Sequence, residues 1–466
     1  MGRGYIVEEI VQKYLFNLTA AGATSVTGLL IGQSAPQRDY VVLAARTPPR
    51  DQTGEERGQA SSATAAGTSL DHETDVEWVS EHARQVSRML PGGLSVVGVF
   101  LLTPPEGAKE AQNTLRRLVF AVDKLISGCR LWSLSEDDVT DRVTLHICST
   151  TRKMVCRTFD VGDPKSSAKP ADWKPQAGVC VSWPVVTCSV DVDLLIPLAH
   201  THSPGDVESC MKAGLQTWAQ QIERGVCLLN GRVMSDDSEL GGGGGGGGQK
   251  KNTKAVQQTF RAQILVKTAA PPPEPGPAQV EACGGVARLG GVVSCRAFLH
   301  SNKPRARQAA QVIKRDVIAT VTTRVEMLLE DHLMSEGGDG GLAGDQQQLP
   351  VRVFAAAPCG GVCVCDYMFA DEGLADVSER IREMLDWDTP PEDLEVTQEV
   401  RSEPCSMSSE EADLHNVMTP TTSMTPQAPP PDHPQKESSL QYYAGVAMAT
   451  AVALLATATS LLYLSD

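Results

Sequence analysis

The sequence predicts a mixed α/β fold of two α/β units, an unstructured acidic stalk and a single C-terminal membrane-crossing helix. Three observations carry this. Apolar runs that read as strands, such as 94–102, alternate with stretches of helical period, such as 115–126. Eight consecutive glycines at 241–248 interrupt the structured part. The 22 residues 443–464 carry no charge; at about 1.5 Å per residue they span roughly 33 Å, enough for a bilayer core.

The elements follow in order. Residues 5–47 read as a short helix or strand, then strands at 26–31 and 40–44 with a turn at 34–39. Residues 50–72 are small and polar, as in a mobile loop. Thr74 and Glu77 have capping-box spacing, and the helix behind them sets Val79, His82, Ala83, Val86 and Leu90 on one face. Pro91-Gly92-Gly93 ends it. The run 94–102 is nearly all apolar, as in a strand covered on both faces. Leu115, Leu118, Val119, Val122 and Ile126 mark an amphipathic helix. Val143, Leu145 and Ile147 alternate, as do Val155, Arg157 and Phe159. Strands within 179–198 and a helix near 207–224 complete a first domain, 1–232. Residues 233–278, with the glycine run and the prolines of 271–277, read as a flexible insert. A second unit, 279–387, has a strand at 292–300 and a helix at 303–334 with Ala306, Ala310, Ile313, Val317, Val321 and Leu328 along one side. Strands at 351–356 and 362–369 and a helix at 377–385 follow. Residues 388–441 lack periodicity and read as a disordered stalk, leaving 442–464 as the span.

Charge and ends narrow the class. The net charge is −16, and 370–440 alone holds 17 acids and 4 bases. Non-specific nucleic-acid binding, which needs a basic surface, is disfavoured. The N-terminus lacks an apolar signal-peptide core, and Ile6 stands where a myristoylation signal wants Ser or Thr. Tyr442, Tyr443 and Tyr463 flank the span like an interfacial belt, and only two residues follow Leu464. That is a tail-anchor pattern, with the bulk of the chain expected in the cytosol. Gly445, Ala449 and Ala453 form a small-residue stripe that could pair with another helix. Thirteen cysteines, an odd number, fit thiols in a reducing compartment.

Chemistry-bearing motifs are sparse. There is no P-loop, HExxH or GxSxG, the last broken at Pro36 of Gly32-Gln-Ser34-Ala-Pro36. Cys359, Cys363 and Cys365 lack a second pair at zinc spacing, and the latter two alternate as small strand hydrophobes would. His200-Thr-His202 is too small a ligand set and reads as loop. Lys303, Arg305, Arg307, Lys314 and Arg315 form a basic run, either a solvated helix face or a surface for acidic lipid or protein. Arg84, Gln85 and Arg88 lie off an apolar helix face and form a candidate partner surface with Trp173, for which packing is the simpler role. No cofactor or metal is expected.

Two resemblances add to this. Ser25-Val-Thr-Gly28-Leu-Leu-Ile-Gly32, Tyr40-Val-Val-Leu-Ala-Ala and Val96-Val-Gly98-Val-Phe100-Leu101-Leu-Thr103-Pro104 together resemble an MPN-type metalloprotease domain. The resemblance places that family's zinc-binding histidines on Leu101 and Thr103, its following Ser and Asp on Ala111 and Thr114, and its catalytic Glu on Ser25. None can hold zinc or activate water. An inactive scaffold, and pairing with another MPN-like domain, are implied. The whole chain also resembles the odorant-response-abnormal protein 4 family. The carriers are Gly2-Arg-Gly-Tyr-Ile-Val-Glu-Glu, Thr27-Gly-Leu-Leu-Ile-Gly-Gln, Arg46-Thr-Pro-Pro, Glu81-His-Ala-Arg-Gln-Val-Ser-Arg-Met-Leu-Pro-Gly-Gly and Asp163-Pro-Lys-Ser-Ser-Ala-Lys-Pro-Ala-Asp-Trp-Lys. This resemblance implies a single-pass endoplasmic-reticulum protein with a lumenal C-terminus, linked to trafficking of G-protein-coupled receptors. It also implies recruitment of the cysteine protease of the ubiquitin-fold modifier system. The expected function is therefore a non-enzymatic adaptor. The alternatives are an escort that binds receptor membrane spans, or a ubiquitin-like peptidase.

Overall fold

The computed structural model describes residues 2–20, 25–49, 75–135, 138–199, 204–240, 257–266, 283–300, 304–334 and 348–399. Its first part runs β1 (Gly4–Glu8), α1 (Glu9–Ala20), β2 (Val26–Gln33), β3 (Arg38–Arg46), α2 (Val76–Arg88), β4 (Ser95–Thr103), a 3-10 turn (Pro105–Lys109), α3 (Ala111–Gly128), β5 (Asp141–Cys148), β6 (Met154–Asp160), β7 (Lys169–Pro170) and β8 (Asp172–Gln176). These strands make one sheet ordered β7-β6-β5-β4-β2-β3-β1-β8. Its two ends, β7 and β8, are separated in sequence by Ala171 alone. β7 pairs with β6 and β8 pairs with β1, so the sheet curls and closes on itself. Tyr5 of β1 and Thr158 of β6 share a buried hydrogen bond of 2.8 Å across the closure. Closure removes the free edges that invite aggregation.

β4 explains why its sequence is apolar throughout. Val97, Phe100 and Leu102 join Tyr5, Leu30 and Leu145 in the interior, against Val11 and Leu15 of α1. Val99 and Leu101 face outward into a second core under α2 and α3. α2 starts one residue later than its capping-box spacing suggests. Asp75, not Thr74, is the N-cap, accepting from the N–H groups of Glu77 and Trp78.

The second sheet comprises β9 (Val185–Leu198), β10 (Val226–Leu229), β11 (Arg232–Val233), β12 (Thr259–Leu265) and β13 (Gly285–Phe298), ordered β11-β10-β12-β9-β13. Helices α4 (Pro204–Arg224) and α5 (Ala306–Met334) pack on it through Leu215, Trp218, Ile313 and Val317. Two expectations change here. β9 and β13 are antiparallel partners from Val185↔Phe298 to Leu198↔Gly285, so one sheet draws strands from both 1–232 and 279–387. The stretch 233–278 is not all flexible insert, because β12 occupies an interior place in the sheet and buries Phe260 and Ala262. Its short alternation was obscured by the low-complexity residues on either side.

A third sheet, β15-β14-β16, uses β14 (Val351–Ala356), β15 (Cys363–Met368) and β16 (Leu394–Val396), with α6 (Leu374–Leu385) beside it. β16 corrects the reading of 388–441 as stalk from its first residue. Leu394 is buried opposite Ala355, and Glu399 accepts from both terminal nitrogens of Arg324 at 2.6 and 2.7 Å. Cys363 and Cys365 are buried on β15. The loop 50–72, the glycine run, 271–277, and Tyr443, Gly445, Ala449, Ala453 and Leu464 of the span lie outside the described residues, as do His200 and His202. Among the described residues no helix is long and apolar enough to cross a membrane.

Sheets one and two meet at the turn after α2. Gly92 donates its N–H to Asp316 Oδ1 at 2.8 Å, and a Cβ there would lie 2.5 Å from the Val312 carbonyl oxygen. Only glycine fits. Gln33, 6 % exposed, donates to the carbonyls of Gly93 and Phe298 and accepts from the backbone N–H of His300.

Candidate functional site

The positions that the MPN resemblance assigns to a metal site come together on the outer face of β4. Leu101 and Thr103 are two apart on that strand and both fully buried. α3 lies over them and places Ala111 and Thr114 in its first turn, each 1 % exposed. Ser25 sits half-buried, one residue beyond the Val26↔Leu102 pair. The chemistry of these side chains is apolar or hydroxyl. Leu101 packs into the α2/α3 core. Thr114 donates its hydroxyl to the Glu110 carbonyl at 3.3 Å. Among the described residues no three His, Cys, Asp or Glu side chains are grouped to hold a metal ion.

The neighbouring strand β5 adds residues that the sequence did not flag. Val143, Leu145 and Ile147 face the interior, so Thr144, His146 and Cys148 face α3. They line a pocket of about 330 Å³ with Ala111, Leu115 and Lys153. The signal was the polar half of an alternation read only for its apolar half. His146 Nε2 and Thr103 Oγ1 share a hydrogen bond of 2.9 Å. Burial lowers the His146 pKa, favouring the neutral ring. Hydrogen bonds from the side chain and backbone of Thr151 lower the Cys148 pKa. His146 is thus bonded to Thr103, while the lowering at Cys148 comes from Thr151.

The candidate partner surface is largely spent within the chain. Arg84 bonds Glu81 and Glu330, Arg88 bonds Glu326 and Glu330, and Gln85 donates to Glu81. This network ties α2 to α5. The Arg84 pKa is raised chiefly by its bond to Glu81. Trp173 lies on β8, where its Nε1 donates to Gln12 Oε1 at 2.8 Å and its ring packs against the interior core.

Comparison with known proteins places this geometry in context. The model of the odorant response abnormal 4-like family matches residues 28–396. The protein odr-4 homolog of Mus musculus is 44% identical, with 100% of both chains covered. That of Homo sapiens is 43% identical with the same coverage. That of Drosophila melanogaster is 20% identical over 81% of this chain and 83% of its own. Among solved structures, the crystal structure of UfSP from C. elegans aligns with a TM-score of 0.40 and 8% identity, over 83% of this chain and 57% of that one.

Proposed function

The chain belongs to the odorant response abnormal 4-like family, and on that premise we propose that it is a non-enzymatic, membrane-tethered adaptor for odorant-type receptor localisation. In this reading its folded head recruits the cysteine protease of the ubiquitin-fold modifier system to the endoplasmic reticulum membrane. The single observation that carries the non-enzymatic part is the face of β4. Leu101, Thr103, Ala111 and Thr114 sit together and are buried, with aliphatic and hydroxyl groups where a metalloprotease would need imidazole and carboxylate. A scaffold that keeps this packing without the ligands can still present surfaces. The tether rests on the uncharged stretch 443–464, with a lumenal C-terminus and a cytosolic head. Holding a partner at a membrane raises its effective concentration there without new contacts.

The test is a pulldown from detergent-solubilised cells, comparing the full chain with one truncated after residue 440. Capture of the modifier protease by both chains, with membrane recruitment by the full chain alone, is the expected result. Absence of the protease, with receptors captured only by the intact span, would replace the adaptor reading by a receptor escort.

A further inference from the structure

A cavity of about 740 Å³ lies between α2, α3 and the first half of α5. Its described lining includes eight arginines and four carboxylates, and Arg84, Arg88 and Arg305 also pair with acids outside it, Glu81, Glu330 and Asp237. All four carboxylates are engaged: Asp123 by Arg142, Asp138 by Arg315, Asp316 by Arg352 and Glu326 by Arg88. Arg130 is half-buried in the same lining and makes no side-chain hydrogen bond or ion pair among the described residues. Its pKa is lowered, by burial first and then by the charges of Arg142 and Arg315, with Asp123 and Asp138 opposing. A guanidinium does not shed its proton, so Arg130 stays charged at the cavity wall, and its five donors have no protein partner among the described residues. An anion would relieve both the charge and the donors.

We propose that this cavity binds a phosphorylated small molecule, its phosphoryl oxygens held by Arg130 with Arg142 and Arg315 beside it. Arg142 and Arg315 stay paired with Asp123 and Asp138, but Arg142 Nη2 and Arg315 Nε have no partner among the described residues, so with Arg130 they can still donate to a phosphoryl group, which offers three acceptor oxygens and up to two charges against a carboxylate's two oxygens and one. The volume is that of a small-molecule site and far exceeds a bare ion. Leu131, Trp132 and Leu134 line it as well and offer apolar wall to the rest of the ligand. The basic run of the sequence divides accordingly. Arg305, Arg307 and Arg315 line the cavity, whereas Lys314 donates to the carbonyls of Glu223 and Gly225 at 2.8 and 2.6 Å.

The experiment is equilibrium dialysis of the full-length chain in detergent against labelled pyrophosphate. Saturable binding is expected, weakened at least about 10-fold by Arg130→Gln, the effect of losing charge-assisted hydrogen bonds. Arg130→Lys keeps the charge but not the fork, so it falls between the two. No saturable binding, or equal binding by Arg130→Gln, overturns the proposal. If Arg130→Gln fails to fold, Arg130→Lys binding as tightly as the parent overturns it. Competition separates the sources of phosphate. Displacement by a nucleoside diphosphate supports a soluble ligand, and displacement by a short-chain phosphoinositide alone overturns it in favour of a lipid headgroup.

Discussion

Arg352 and Asp316 form a bidentate ion pair in the core, at 2.8 and 2.9 Å, with each side chain 1 % exposed. The same carboxylate accepts from the backbone N–H groups of Gly92 and Arg296, each at 2.8 Å. One side chain of α5 thus joins β14, β13 and the turn after α2. Burial lowers the Arg352 pKa, but the charge of Asp316 and its other neighbours outweigh this and raise it.

Removing one partner strands a buried charge, while removing both leaves none. Asp316→Asn or Arg352→Met is expected to cost about 3–5 kcal/mol of unfolding free energy. The double variant should cost clearly less than the sum of the two. Urea melts of all three check this; strict additivity would mean that the pair is solvated and acts independently.

How much of this was legible in the sequence follows from period and length. α2, α3 and β4 were readable because each is long and strongly patterned, and Val79, Val86, Leu115 and Leu118 are core residues as expected. The Cys363/Cys365 alternation also read correctly. The joining of 1–232 with 279–387 was not legible, because β9–β13 pairing depends on partners about a hundred residues apart and leaves no local mark. β12 and β16 are short and flanked by low-complexity sequence, so their Phe260 and Leu394 looked like isolated apolar residues. Arg84 and Arg88 looked like free surface because the acids that meet them, Glu326 and Glu330, lie on a helix far along the chain. The β4 grouping of Leu101, Thr103, Ala111 and Thr114 was placed by resemblance, and its companions His146 and Cys148 appear only once β5 is paired with β4.

Three histidines are held toward the neutral form. Burial is the main cause at His82, His146 and His300; the Met384 carbonyl opposes it at His82 and Asp39 opposes it at His300. A lowered folded pKa means that the unfolded chain binds more protons once the pH drops below about 6.5. Stability is then full above about pH 6.5 and falls as the pH passes down through the folded values. Urea melts from pH 8 to pH 5 should show this decline, with a shallower slope for His82→Gln. Equal slopes would show that the His82 ring is protonated freely in the fold.

The cysteines should differ in reactivity by burial. Burial pushes the Cys363 thiol up to about 12, against the lowering effect of Arg296, and raises Cys365 and Cys295 as well. Cys180 is raised by its contact with Cys359, 3.5 Å away, and by burial. Cys283 is exposed. The thiolate is the reactive form. Native iodoacetamide treatment at pH 8, read by peptide mass spectrometry, should label Cys283 well before Cys180, Cys295, Cys363 or Cys365. Early labelling of Cys363 would mean that β15 opens readily.

The double variant Leu101→His with Thr103→His tests the reading of the β4 face. It restores the two imidazoles that the MPN resemblance expects, yet Ser25 supplies no base and Thr114 no carboxylate. Leu101 is fully buried in the α2/α3 core, so an imidazole there loses apolar packing and needs a new hydrogen-bond partner. Thr103→His also removes the hydroxyl that bonds His146. The expected outcome is no isopeptidase turnover with added zinc, and a loss of stability of about 2–5 kcal/mol, the range for large changes at packed core sites. Assay of the purified variant on a ubiquitin-like substrate checks the first, and urea melts the second. Turnover would show that the outer face of β4 is a metalloprotease site lacking only its histidines, and the adaptor reading would lose its carrying observation.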